Sequence, residues 1–204
     1  MSNDRLKVGE HLVTAMRYHG EPVCMADCEM SRLFFKHKAG KCKEHGPLYE
    51  ALLWPLTKKP DVRFLEIGIG EGGSLAAFAE FLPDAKLFGI DYSTQTSDHA
   101  CILHGDQSDP AFMDYAVRIL GQLDFVIDDG GHHANDQQVS FEALWPIVKR
   151  GGHYVIEDLH VCEAKNFKVD GRPTTLEYID SLGLNPAFHY CQEFDRDICV
   201  IEKL

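Results

Sequence analysis

The chain has 204 residues, of which 45% are hydrophobic and 25% charged, and its formal net charge is −12. A chain of this length and composition can bury a full hydrophobic core, whereas its acidic balance argues against nucleic acids or anionic membranes as partners. No apolar stretch is long enough to cross a bilayer, and the first residues lack the apolar core of a signal peptide, so we expect a soluble, cytoplasmic protein.

Residues 1–45 are predicted to form a helical segment with a flap, ahead of a domain that spans residues 46–204. A short helix is expected over residues 11–18 and another helical turn over residues 31–35. The basic stretch that follows contains Lys36, Lys38, Lys41 and Lys43. We interpret it as a solvated loop, with a flap over an anionic or carboxylate-bearing ligand as the alternative.

Seven cysteines are scattered along the chain, and this odd number lacks the density of a disulfide-bonded scaffold, so we interpret them as reduced thiols. A zinc site is disfavoured, because the Cys-x3-Cys pair is not followed by a second closely spaced pair. Its candidate ligands would be Cys24, Cys28, His37, Cys42 and His45.

Strands and helices alternate through the rest of the sequence. The predicted strands are residues 62–67, 86–91, 101–105, 123–128 and 153–157. The predicted helices are residues 47–56, 72–81, 110–120, 135–148 and 174–182. This alternation predicts an α/β fold with a doubly wound, mainly parallel sheet. Two short runs, residues 187–191 and 197–202, are separated by five residues, which predicts a C-terminal antiparallel hairpin.

The loop after the strand at residues 62–67 is rich in glycine. Gly68, Gly70 and Gly73 fit the G-x-G-x-x-G pattern between a strand and a helix, with Gly72 and Ser74 in the same loop. Glycine lets the backbone turn sharply and approach a nucleotide cofactor closely. In such sheets the ligand binds beyond the carboxyl ends of the strands. The loop therefore predicts a cofactor site.

Carboxylates around this loop indicate which cofactor it binds. Glu66 and Glu71 flank the turn and would repel a diphosphate, whereas they suit a cationic cofactor. S-adenosyl-L-methionine, a sulfonium that carries ribose and adenine without phosphate, fits this requirement. Asp91, at the end of the next strand, is predicted to accept hydrogen bonds from the ribose hydroxyls. Asp106 and Gln107 are predicted to bind the adenine, although loop solvation explains these two residues equally well.

A second polar cluster follows two later strands. Asp128, Asp129 and His132 come after the strand at 123–128, and Glu157 and Asp158 after the strand at 153–157. Four carboxylates that converge at one sheet edge require a cation, and oxygen ligands favour Mg²⁺, with Mn²⁺ as the alternative. We assign Asp129, Glu157 and Asp158 to the metal, because neighbouring residues at a strand end point in opposite directions. Asp128 is then structural or near the cofactor, and His132 lies within reach of a substrate on the ion.

Three segments together resemble the metal-dependent sugar O-methyltransferases of natural-product pathways. The resemblance extends from about Lys36 to the end of the chain and includes macrolide-glycoside, rhamnosyl and cephamycin-pathway methyltransferase-like proteins. The segments that carry it are Leu65-Glu66-Ile67-Gly68-Ile69-Gly70, Val126-Ile127-Asp128-Asp129-Gly130-Gly131-His132 and Tyr154-Val155-Ile156-Glu157-Asp158.

This resemblance implies a class I methyltransferase, Rossmann-like fold and a glycoside or glycan acceptor. It also implies metal ligation by Asp129, Glu157 and Asp158, with His132 as the general base. The sequence departs mildly from the family's usual Asp-Gly-Ser-His, because Gly131 stands in the place of serine. Residues 1–45 and 160–175 are expected to shape the acceptor pocket.

Two other functions remain open at this point. A catechol-type small-molecule O-methyltransferase would share the metal chemistry and would need an aromatic wall, which Trp54, Trp145 and Tyr190 could supply. A non-catalytic protein that binds S-adenosyl-L-methionine with the same fold would not need the crowded carboxylates. The oligomeric state is not readable from the sequence.

Overall fold

The structure is a computed structural model that describes residues 5–8, 11–14, 28–41, 45–161, 167, 169, 171–189 and 198–204. Its six α-helices within these residues are α1 (Glu29–His37), α2 (His45–Leu53), α3 (Gly73–Phe81), α4 (Pro110–Leu120), α5 (Ala134–Leu144) and α6 (Thr175–Ser181). Short 3-10 helices cover Trp54–Lys58, Trp145–Ile147 and Leu159–Val161. Among the helices of this part of the chain, none combines the length and the apolar composition that a bilayer crossing requires.

Two sheets are present in the described residues. A small sheet pairs β1 (Arg5–Val8) with β2 (His11–Thr14) in antiparallel fashion. The main sheet contains β3 (Arg63–Ile67), β4 (Lys86–Asp91), β5 (Cys101–His104), β6 (Leu123–Asp128), β7 (Val148–Ile156), β8 (Ala187–His189) and β9 (Ile198–Glu202). Its order is β5-β4-β3-β6-β7-β9-β8, in which β9 is antiparallel to both β7 and β8 and the other pairs are parallel. The predicted doubly wound, mainly parallel sheet with a C-terminal antiparallel hairpin is thus confirmed.

The helix predicted over residues 11–18 is wrong where the structure describes it, because residues 11–14 form β2. The pairing of β1 with β2 explains the error, because a strand is stabilised by hydrogen bonds to its partner strand, which the local helical periodicity of the sequence does not reveal.

The main sheet buries both of its faces. Phe64 and Phe125 stack with their ring centroids 5.5 Å apart beneath α1, α2 and α3, whereas Leu65 and Val126 point to the other face and pack beneath α4, α5 and α6. Every residue of β6 is buried, as expected for a central parallel strand covered on both sides. The carboxyl ends of β3, β4, β5, β6 and β7 therefore stand at one edge on a rigid base.

Asp124 stabilises the opposite, amino-terminal edge of the sheet. Its side chain is 1% exposed and accepts hydrogen bonds from the Lys149 ammonium at 2.7 Å and the Arg63 backbone N–H at 2.9 Å. The Lys59 ammonium lies 2.7 Å from its other oxygen. Burial raises the pKa of Asp124, but the hydrogen bonds from Lys149, Lys59 and Arg63 outweigh it and lower the pKa below its ordinary value.

We expect Asp124→Ala to lower the free energy of unfolding by about 1–3 kcal/mol at pH 7, because it leaves a buried N–H without an acceptor. A carboxyl with a lowered folded pKa stabilises the protein above its unfolded pKa and loses this effect as the pH falls. The gap between wild type and variant should therefore narrow below about pH 4. Urea unfolding at several pH values measures it, with the exposed Asp114→Ala as control; a gap independent of pH would contradict the assignment.

Candidate active site

A cavity of about 540 Å³ opens at the carboxyl edge of the main sheet. It lies over the ends of β3, β4 and β6 and over the loops that follow them, which is where ligands bind in sheets of this type. Its lining includes Gly68, Gly70, Asp91, Tyr92, Asp106, Gln107, Asp129, Gly130, Gly131, His133 and Asp136. The predicted cofactor residues at 68, 70, 91, 106 and 107 and the predicted metal ligand Asp129 thus border one space.

The glycine loop between β3 and α3 has a backbone that side chains disfavour. Gly68, Gly70 and Gly72 have φ angles of 78°, 49° and 81°, in the left-handed region. A Cβ at Gly68 would also overlap the backbone carbonyl oxygen of Asp129. Glycine is therefore required at Gly68 both by its φ angle and by the close approach of the loop that follows β6.

Glu66, at the end of β3, is fully buried behind this loop. Its Oε2 accepts a hydrogen bond of 2.7 Å from the Ser74 hydroxyl, and its Oε1 accepts no hydrogen bond from the described residues. Burial raises the pKa of Glu66 above its ordinary value. The predicted cofactor residues Glu66 and Ser74 thus contact each other, and the other carboxylate oxygen of Glu66 faces the Lys41 ammonium at 3.4 Å.

Asp91, at the end of β4, holds the glycine loop against the end of β4. Its Oδ2 accepts the backbone N–H of Ile69 at 3.0 Å, and its Oδ1 accepts the backbone N–H of Ser93 at 2.8 Å. A carboxylate oxygen can accept more than one hydrogen bond, so Asp91 retains capacity for a ribose hydroxyl. Asp106 lies on the far side of the cavity, where its exposed carboxylate accepts the Ser108 backbone N–H.

Gln107 and Asp128 hold the loop after β6 in place. The Gln107 amide donates to Asp128 Oδ1 at 3.0 Å and accepts the Gly131 N–H at 2.9 Å. Asp128 is fully buried and also accepts hydrogen bonds from the hydroxyls of Ser140 and Tyr154. The hydrogen bonds of both side chains are made within the protein. Asp128 therefore has a structural role, and the Gln107 amide is already hydrogen-bonded to Asp128 and Gly131 instead of being open to an adenine.

Lys41 reaches the acidic cluster, which the interpretation of the basic stretch as a solvated loop did not foresee. Its ammonium is 2.5 Å from Asp129 Oδ2, 2.6 Å from Glu157 Oε1 and 3.4 Å from Glu66 Oε1, and its side chain is only 3% exposed. Burial alone would lower the pKa of Lys41, but these three carboxylates outweigh it and raise the pKa well above its usual value. The solvated-loop interpretation is therefore wrong for Lys41, because three desolvated carboxylates attract the nearest available cation.

Glu157, at the end of β7, is held from several sides. The buried Tyr49 hydroxyl donates to its Oε1, and His45 Nδ1 lies 3.5 Å from its Oε2. Burial raises the pKa of Glu157, but Lys41 and His45 outweigh it, so the pKa lies below its ordinary value. The opposite holds for Asp129, whose pKa is raised well above its ordinary value by burial and by the negative charge of Glu157.

His132 and Asp158 stand on the other side of Asp129. His132 Nε2 lies 3.3 Å from Asp158 Oδ2. Both residues have positive φ angles, 58° and 56°, which non-glycine residues adopt rarely and mostly where the surrounding structure enforces them. His132 Nδ1 is buried and has no hydrogen-bond partner among the described residues. The geometry thus places one imidazole nitrogen beside a carboxylate and leaves the other buried without a hydrogen-bond partner among the described residues.

The donor set around Asp129 suits a hard divalent cation. One ligand atom each from Asp129, His132 and Asp158 lies within 4.8 Å of the others. The two carboxylates fit Mg²⁺ or Mn²⁺, which also retain water or substrate oxygens as ligands, whereas an imidazole ligand is more usual for Zn²⁺ or Fe²⁺. Of the predicted metal ligands, the structure therefore groups Asp129 with Asp158, whereas Glu157 connects to Asp129 through the Lys41 ammonium.

The sequence interpretation considered His45 only as a ligand of the disfavoured zinc site, and it did not connect Lys41, Tyr49 or His45 with Glu157. They lie more than 100 positions before it in the sequence, so no local spacing connects them to it. The four clustered carboxylates were the available signal, because such a cluster requires a cation and Lys41 belongs to the one basic stretch that the sequence interpretation had singled out.

Several predicted features have other settings or lie beyond the described residues. Trp145 stacks on Phe141 and Trp54 is half-exposed, and neither lines the cavity. The Cys28 thiol donates a hydrogen bond to Glu50. Tyr190, Cys24, Cys42, Lys43 and much of the two segments expected to shape the acceptor pocket, residues 1–45 and 160–175, lie outside the described residues.

Comparison with known proteins identifies the domain. Residues 65–159, from β3 to the turn after β7, match the family described as methyltransferase domain. The chain contains a methyltransferase domain. The matched segment holds the glycine loop, Asp91 and all of the acidic cluster except Lys41. The sheet order of the chain, together with the antiparallel β9, is that of the class I methyltransferase fold.

The methyltransferase domain has relatives whose names state sugar methylation. It is 39% identical over 144 residues to 8-demethyl-8-(2-methoxy-alpha-L-rhamnosyl)-tetracenomycin-C 3'-O-methyltransferase of Streptomyces olivaceus, covering 64% of this chain and 37% of the relative. It is 34% identical over 171 residues to mycinamicin VI 2''-O-methyltransferase of Micromonospora griseorubida, covering 75% of this chain and 42% of the relative. The chain thus spans about two fifths of the length of these curated relatives.

A solved structure supports the same relationship. The MycE methyltransferase from the mycinamycin biosynthetic pathway, in complex with Mg, SAH and mycinamycin VI, superposes with a TM-score of 0.75 at 28% sequence identity. The superposition covers 88% of this chain and 55% of MycE. The methyltransferase domain described here therefore shares both fold and detectable sequence with an enzyme solved with magnesium and a glycosylated macrolide.

Proposed function

We propose that this chain transfers a methyl group from S-adenosyl-L-methionine to a sugar hydroxyl, of a rhamnose-like glycoside or a glycan terminus, with the help of Mg²⁺ or Mn²⁺. The observation that carries the proposal is the contact between the two halves of the site. The glycine loop after β3 touches the backbone of Asp129, so a cofactor on that loop lies next to the acidic cluster. The names of the relatives supply the acceptor class.

The cofactor side of the site would be formed by the loop after β3 and by the ends of β4 and β5. S-adenosyl-L-methionine supplies an electrophilic methyl group on a sulfonium. The buried Glu66, whose Oε1 also faces the Lys41 ammonium at 3.4 Å, would place negative charge near this cation, and the exposed Asp106 would lie toward the adenine. Asp91 keeps the glycine loop closed and would bind the ribose.

Asp129, Asp158 and Glu157 would hold the divalent ion, which when bound lowers the pKa of an acceptor hydroxyl and fixes its orientation. Glu157 would join this set only after its contact with Lys41 is released, since Lys41 engages it in the present arrangement. His132 is grouped with Asp129 and Asp158, so it lies where an acceptor hydroxyl on the ion would be.

His132 would act as the general base. Asp158, whose Oδ2 lies 3.3 Å from Nε2, would hold the imidazole in place, and the imidazole would take the hydroxyl proton. The oxygen then forms a bond to the methyl carbon as the bond from that carbon to sulfur breaks. The products are a methyl ether, S-adenosylhomocysteine and a protonated His132, and the proton then leaves to solvent.

The proposal is tested by offering methyl-labelled S-adenosyl-L-methionine with a panel of rhamnosides, related glycosides and a catechol. We expect label on a glycoside only, lost with a chelator and restored by Mg²⁺. Methylation of the catechol alone would favour the catechol-type enzyme. Calorimetric binding of S-adenosyl-L-methionine without transfer to any acceptor would favour a non-catalytic protein.

A further inference from the structure

The Lys41 ammonium occupies the place where the acidic cluster needs a cation. It bridges Asp129 Oδ2 and Glu157 Oε1, at 2.5 Å and 2.6 Å, and faces the otherwise unpaired Glu66 Oε1 at 3.4 Å. Asp129 and Glu157 are two of the carboxylates that the proposed function assigns to the divalent ion. A protein cation and a metal ion thus have oxygen ligands in common.

The backbone that carries Lys41 is firmly placed. The N–H groups of Lys38 and Ala39 bond back to the carbonyls of Phe35 and Phe34, so the turn formed by residues 38–41 closes α1. This 38–41 turn also packs against the start of α3, where a Cβ on Gly73 would collide with the backbone of residues 37–39. Gly73 therefore permits the contact that delivers the ammonium to the cluster.

The start of α1 is anchored as well. Glu50, on α2, accepts the Met30 N–H at 3.0 Å and the Cys28 thiol at 2.9 Å. Tyr49, the preceding residue of α2, donates to Glu157. One turn of α2 thus holds both the helix that leads to Lys41 and the carboxylate that Lys41 binds, so the ammonium and its target are positioned by the same element.

An ammonium and a divalent ion cannot both make close contact with the same carboxylate oxygens without strong mutual repulsion. Burial of Lys41 makes this competition effective, because a charge that is 3% exposed is weakly screened by solvent. From this geometry, and resting on the proposed function, we infer that Lys41 is a resident counter-ion of the site. The divalent ion displaces its ammonium, and this displacement releases the 38–41 turn from the acidic cluster.

In this arrangement Lys41 has a role in each state of the protein. Without the divalent ion it neutralises carboxylates that would otherwise repel one another inside the fold. With the ion bound, the turn and the metal site are linked, because the binding free energy of the ion includes the cost of breaking the Lys41 contacts. Metal affinity is therefore set partly by a residue that is not a ligand.

The test compares Mn²⁺ binding, by electron paramagnetic resonance, in wild type, Lys41→Met and Lys38→Met. Lys38 is the matched control, because it lies on the same turn with an exposed side chain. We expect Lys41→Met to bind Mn²⁺ about tenfold tighter or more, and Lys38→Met to match wild type. Unchanged or weaker binding by Lys41→Met, with wild type still binding, would overturn the inference while leaving the proposed function intact.

A second measurement does not depend on the stability of the variant. Hydrogen exchange of wild-type amides 38–41 should become faster when Mg²⁺ is added, whereas the buried β6 amides should not change. Exchange that stays the same, or slows, in a protein that binds Mg²⁺ would also overturn the inference. Absence of Mn²⁺ binding in both wild type and Lys41→Met would instead refute the metal site of the proposed function, and the role of Lys41 with it.

Discussion

Asp129→Ala should lower methyl transfer by about three orders of magnitude, which corresponds to about 4 kcal/mol of activation free energy. Asp129 is the residue that links the halves of the site, since its carboxylate contacts Lys41 and groups with His132 and Asp158. Its backbone carbonyl adjoins Gly68 and is unaffected by the substitution. We therefore expect the loss in kcat, with the affinity for S-adenosyl-L-methionine changed little.

Single-turnover rates with saturating cofactor and calorimetric cofactor titrations measure these two effects. Asp114→Ala, which removes an exposed carboxylate from α4, is the control and should behave as wild type. Supplying millimolar Mn²⁺ should not rescue Asp129→Ala. Wild-type turnover of this variant in the presence of a chelator would show that neither the ion nor Asp129 takes part in catalysis.

His132→Asn should lose about two to four orders of magnitude in turnover, the usual contribution of a general base. Asparagine is the suitable replacement, because it tolerates the positive φ angle of His132 better than alanine does. The variant should bind S-adenosyl-L-methionine and Mn²⁺ as wild type does, because the proposed role of His132 is to accept a proton.

His133→Asn is the matched control, since His133 is the adjacent residue and its imidazole pairs with Asp136. Mn²⁺ affinity separates two roles for His132 that the geometry permits. If His132→Asn loses Mn²⁺ affinity in step with turnover, His132 serves the ion and another group must accept the proton.

Much of the main sheet was predictable from local patterns. The bounds of β4, β6 and α4 agree with the predicted residues 86–91, 123–128 and 110–120. Buried parallel strands are continuous apolar runs that end at polar loops, and α4 begins at a proline preceded by the capping residue Asp109. β7 was harder, because it starts at Val148, before Gly151-Gly152, and a register shift interrupts its pairing with β6. In a sequence, two adjacent glycines such as these suggest a loop and not the middle of a strand.

The site was predictable to the extent that it is built from strand ends. Parallel strands bring their carboxyl ends to one edge, so Glu66, Asp91, Asp129 and Glu157 could be placed together without coordinates. Lys41 could not, since its contacts with Asp129 and Glu157 span 88 and 116 positions and are made by a turn outside the sheet. That contact is determined by electrostatic attraction in the folded protein, and no spacing in the sequence predicts it.

The missing side chain at Gly68 has a consequence for how such a domain changes its substrates. Because the glycine loop and the backbone of Asp129 meet directly, the spacing between the proposed cofactor and metal sites is set by main-chain atoms and not by rotamers. Under the proposed function, new acceptor sugars would be accommodated by residues farther out while this spacing stays constant. A scaffold of this kind can change its substrate specificity while the arrangement of its catalytic residues stays the same.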